Sequence, residues 1–149
     1  MRVLFFYALL AAIASYAFIH GRRPERLAAA IMVAGTLLTR LVWSTGPARF
    51  GHVETGAVAV DVLALVAWSA LAVRTDRNWT LWLAALQLVA TLGHVARAID
   101  PDMLPNGYAF LLVVWSYPML LTIALGTRTQ QKKRRELAQA AGSASQLED

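Results

Sequence analysis

Residues 56–73 read GAVAVDVLALVAWSALAV, eighteen residues with one ionisable side chain, Asp61. A membrane span takes roughly 20 mainly apolar residues, about 17–25 in range, so this stretch is long enough to cross a bilayer as one helix. It lacks the alternation of period two that a β-barrel strand needs. Four further blocks share its character, over residues 3–20, 27–44, 79–96 and 108–126. The joints between them, GRRPER, STGPARFGHVETG, RTDRN and RAIDPDMLPNG, carry the turn chemistry. Pro24, Pro47, Pro101 and Pro105 fall in these joints, where a missing N–H does a helix no harm. The pattern predicts an all-α membrane protein, a bundle of five transmembrane helices over residues 1–127, with a basic tail over 128–149.

Composition agrees. The 149 residues are 58% hydrophobic and only 15% charged, with no cysteine. Charged residues make up about 25% of an ordinary soluble domain. A soluble enzyme, a disordered chain and a disulfide scaffold are excluded. So are a CxxC redox pair, Cys-ligated zinc and thioether-linked haem. The motifs GxxxxGK[ST], HExxH, GxSxG and the Rossmann glycine pattern are absent, and no catalytic residue is assigned. The reading leans away from an enzyme.

Basic residues set the orientation, because short cytoplasmic loops are enriched in Lys and Arg. With the N-terminus outside, the cytoplasmic side holds Arg22, Arg23, Arg26, Arg74, Arg77, Arg128, Lys132, Lys133, Arg134 and Arg135. The outer side holds Arg2, Arg40, Arg49 and Arg97, so all 14 basic residues divide ten to four. The net charge of +5 is thus explained by topology, without nucleic acid. Lys132, Lys133, Arg134 and Arg135 follow the fifth block directly, where they meet anionic lipid head groups. The final GSASQLED is small, polar and expected to be disordered. A competing reading takes MRVLFFYALLAAIASYA as a signal peptide cleaved near Ala17, leaving four spans. It would move Arg22, Arg23 and Arg26 outside, against the charge bias.

Polar residues inside the apolar blocks are the candidates for function, since an ionised side chain at mid-depth costs around 2.5–3.5 kcal/mol. Arg40, Asp61 and His94 all fall in the outer third, with Asp61 roughly 7–8 Å from the start of its block at 1.5 Å per residue. No counterpart is expected in the inner half. Thr36 and Arg40 share one helix face, as do Gln87, Thr91 and His94. Consecutive helices usually adjoin, so Arg40 is expected to pair with Asp61, and Gly35 and Gly93 to permit close helix approach. His52, Glu54, Arg97 and Asp100 form a candidate outer rim. His20, His52 and His94 have no spacing that pairs them as haem or metal ligands, so no cofactor is assigned. Pro118, within VVWSYPMLL, is expected to kink the fifth helix and leave the Val114 carbonyl unpaired.

The runs RPERLAAAIMVAGTLL, LWLAALQLVATLGHVARAIDP and WSYPMLLTIALGT resemble those of small hydrophobic proteins of proteobacterial genomes that have no assigned activity. The likeness covers residues 22–127, and implies helical spans in a bacterial inner membrane and no catalytic residue. The small multidrug transporters are a useful contrast: they carry a glutamate in the first helix, where this chain has no acid.

The leading expectation is a multi-pass protein of the inner membrane of structural or accessory type, a small subunit or assembly partner. A membrane-protein partner or a second copy would be its companion. The alternative is a small transporter or channel-like protein with an outward-facing polar cavity; a second is a haem- or lipid-binding membrane protein. Space beside Arg40 and Asp61 would favour transport, and a dry mutual pair a structural role.

Overall fold

A computed structural model of the chain describes residues 2–42, 55–100, 107, 110 and 113–145. Five helices occupy them: α1 (Arg2–His20), α2 (Arg23–Val42), α3 (Thr55–Val73), α4 (Asn78–Ile99) and α5 (Ser116–Ser145). The described residues contain no strand. Helices α1, α3 and α4 are long and apolar enough to cross a membrane. Charges at both ends of α2 leave 13 uncharged residues between Arg26 and Arg40. The second half of α5 is the polar run TQQKKRRELAQAAGSAS. Residues 142–145 therefore continue a helix, where composition alone suggested disorder.

Local chemistry sets the helix ends. Only Gly21 and Arg22 separate α1 from α2. The Gly21 N–H donates to the Ala17 carbonyl at 2.8 Å, closing α1. The Arg22 N–H donates to Oε2 of Glu25 at 2.9 Å, the backward half of a capping box. Pro24 lies in that first turn, where its missing N–H is not needed.

Pro118 acts differently from the expected mid-helix kink. Trp115 is a turn, and α5 starts afresh at Ser116, so Pro118 falls in a first turn. Proline cannot donate to the Val114 carbonyl, and breaking the helix one residue later removes the conflict. Residues 108, 109, 111 and 112 of the fifth apolar block lie outside the described residues.

The helices close a ring: each packs on the next, and α5 packs back on α1, with α2 also touching α5. Ala14 and Ala17 of α1 and Ala28 and Ala29 of α2 are buried, so alanines bring these helices close together. Gly35 does not serve that purpose, since a Cβ added there would meet nothing within 4 Å. Trp68, Leu83, Leu120 and Ile123 fill the middle of the ring. Large apolar side chains also face outward, among them Leu63, Val66, Trp82, Leu92 and Ile99. Water would leave so wide an apolar exterior uncovered.

Candidate functional site

The ring encloses a cavity of about 400 Å³. It takes Phe6 and Tyr7 from the start of α1, one face of the second half of α2 with Thr36 and Arg40, and one face of α3 with Ala57, Asp61, Ala64 and Trp68. Gln87 of α4 and Ser116, Tyr117 and Met119 of α5 complete it. The cavity thus occupies the end of the bundle where α1, α3 and α5 begin and α2 finishes. Its walls are mostly apolar, with Trp68 towards the core and the Phe6 and Tyr117 rings edge to face at 5.7 Å between centroids.

Asp61 connects this cavity to the buried interior. Its Oδ2 lies 2.9 Å from Nε2 of His94, and only 3% of the His94 side chain is exposed against 24% of Asp61's. The carboxylate therefore pairs with His94, where Arg40 was the expected partner. The reason is topological. Four residues join α3 to α4, making an antiparallel hairpin that turns the Asp61 face towards α4. Arg40 lines the same cavity from α2 but makes no ion pair with Asp61. Gln87 donates from Nε2 to the Asp61 carbonyl at 3.3 Å, and Thr91 donates its hydroxyl to the Gln87 carbonyl at 2.9 Å.

The structure therefore brings Arg40, Asp61 and Gln87 to one cavity, with His94 behind Asp61 and Thr91 supporting the Gln87 backbone. Arg97 is buried one turn beyond His94, and Asp100 caps α4 with its N–H on the Ala96 carbonyl. His52 and Glu54 of the expected rim lie outside the described residues, as does Arg49. His20 stands at the far end of α1, tilted against Tyr16 with ring centroids 5.3 Å apart. Among the described residues no three of His, Asp and Glu come together as a metal site. Lys132, Lys133, Arg134 and Arg135 are exposed along α5, where Lys132 stands 3.8 Å from Glu136. Tyr7, Ser116 and Tyr117 are cavity residues that the sequence reading did not single out; a hydroxyl inside an apolar block was the available signal.

The opposite end holds a polar cluster where none was expected. Glu25 is fully buried, with Oε1 3.3 Å from Nη1 of Arg77. The same Nη1 donates to Oε1 of Gln130 at 2.5 Å, and Tyr16 donates its hydroxyl to Gln131 at 2.7 Å. These contacts join α1, α2, the α3–α4 joint and α5. Glu25 stands among arginines in GRRPER, a joint whose sequence shows only turn chemistry. The signal was Pro24-Glu25, a proline and an acid suited to a helix's first turn.

No protein-family model, curated protein or solved structure matches the chain. The fold and site define a class only: an α-helical ring, with three helices able to span a membrane, around a small cavity of mixed charge.

Proposed function

We propose that the chain is a multi-pass protein of the bacterial inner membrane, with five spans, its N-terminus outside and α5 ending in the cytoplasm, that binds and passes a small solute through its outward-facing cavity. The observation that carries this reading is the cavity of about 400 Å³ lined by Asp61 and Arg40, two opposite charges not spent on each other. An intramembrane ionisable residue facing a cavity is a site by default. Arg23 and Arg26 of α2 are exposed at its start, where long side chains snorkel to the interface. Arg22, Arg23, Arg26, Arg74 and Arg128 are exposed, and they cluster with Lys132 to Arg135 at the end opposite the cavity. That is the distribution expected of a cytoplasmic face against anionic lipid.

The test is proton or ion flux in proteoliposomes. The parent protein is expected to carry a flux that falls to background in Asp61→Asn. Equal fluxes, or none in either, would remove Asp61 from transport. The second reading would then stand, a structural or accessory subunit in which the 2.9 Å contact between His94 and Asp61 fixes the register of α3 on α4. That reading expects a membrane-protein partner to co-purify in mild detergent.

A further inference from the structure

We propose that the cavity recognises a small zwitterion, with its ammonium at Asp61, its carboxylate or phosphate at Arg40, and its body against the apolar wall. The inference rests on the reading of the cavity as a ligand site. A guanidinium stays protonated in proteins, so Arg40 gives the chamber a fixed cation with a planar fork of donors suited to carboxylate or phosphate. Asp61 uses Oδ2 on His94, and Oδ1 makes no hydrogen bond or ion pair among the described residues. His94 holds the carboxylate through Oδ2 and leaves Oδ1 turned to an incoming ammonium.

The two charges come from neighbouring helices and stay apart within one chamber. A ligand carrying one charge would answer only one of the two groups, whereas a zwitterion answers both. The same chamber is walled by Phe6, Ile31, Val60, Trp68 and Met119, a surface for a short apolar body. The cavity's volume is near the lower end of the roughly 300–1,000 Å³ of small-molecule sites, which limits the ligand to a small molecule. A free amino acid and a phosphoethanolamine head group share this chemistry.

Calorimetric titration of the purified protein in a non-ionic detergent separates these sources. The probes are L-leucine, glycerophosphoethanolamine, L-leucinamide with only the cation, and N-acetyl-L-leucine with only the anion. One of the two zwitterions is expected to bind, the tighter one naming the source, with both single-charge probes about tenfold weaker or worse. Arg40→Gln should erase the preference over leucinamide, and Asp61→Asn the preference over N-acetyl-leucine. A single-charge probe binding as tightly as the zwitterions overturns the inference. If Ala64→Phe, which fills the cavity, then abolishes that binding, the cavity remains a ligand site. No binding of any probe also overturns the inference, and the flux measurement then decides the wider reading separately.

Discussion

Glu25→Ala is expected to destabilise the folded protein by about 2–4 kcal/mol, because it removes one partner of a buried ion pair and a helix cap together. Glu25 is fully buried: Oε2 accepts from the Arg22 N–H, and Oε1 forms an ion pair with Arg77 at 3.3 Å without a hydrogen bond. Removing one member of a fully buried pair typically costs about 3–5 kcal/mol. The Arg77 side chain is 27% exposed and keeps Gln130, so water and the amide recover part of that loss. Loss of the cap adds about 1 kcal/mol. Glu25→Gln, which retains an acceptor for the Arg22 N–H, should lose roughly half as much. Unfolding by SDS titration in mixed micelles measures both variants. A loss below about 0.5 kcal/mol for Glu25→Ala, the range of ordinary surface changes, would show that the cluster does not hold this end of the bundle together.

Gly21→Ala is expected to be nearly as damaging, for a steric reason. A Cβ at Gly21 would press into the Ala17 carbonyl oxygen and sit 2.6 Å from the Cβ of Glu25. The first neighbour is backbone and cannot rotate away. The second belongs to a buried side chain fixed by a hydrogen bond at Oε2 and an ion pair at Oε1. Relief would require opening the joint between α1 and α2, whose alanine faces are fully packed. The expected cost is about 3 kcal/mol, the upper side of overpacking. Gly35→Ala is the internal control, because its Cβ meets nothing within 4 Å. Equal stability of the two variants in the same titration would contradict the close approach at Gly21.

The helical blocks were legible because apolar length is a strong signal. Residues 56–73 and 79–96 correspond to α3 and α4 with boundaries shifted by at most three residues. The start of α2 was read four residues late because Arg23 to Arg26 are polar, although a charged first turn is ordinary helix when Pro and Glu stand in it. Asp61 was legible as the outstanding residue of its block, but its partner was not. Sequence adjacency offered α2 and α4 equally, and only the facing of the α3–α4 hairpin decides for His94. Glu25 was missed for the opposite reason: hydropathy treats a charge among charges as solvated, whereas this one is buried by α5 and the α3–α4 joint reaching across the ring. The cavity was anticipated only as a place for polar residues. Its volume depends on Gly35, Ala57 and Ala64 lining it with little side-chain bulk, which no single-helix pattern reveals.

The central claim is that this cavity opens to the outer face of a membrane, and the absence of cysteine makes it directly testable. Thr39 lines the cavity on α2, and Gln139 is exposed on the polar extension of α5. Single variants Thr39→Cys and Gln139→Cys would be exposed to a membrane-impermeant maleimide on spheroplasts with intact inner membranes. The expected result is labelling of Thr39→Cys in intact spheroplasts and of Gln139→Cys only after permeabilisation. Labelling of Gln139→Cys from outside, with Thr39→Cys protected until the membrane is opened, would contradict both the orientation and the outward-facing cavity.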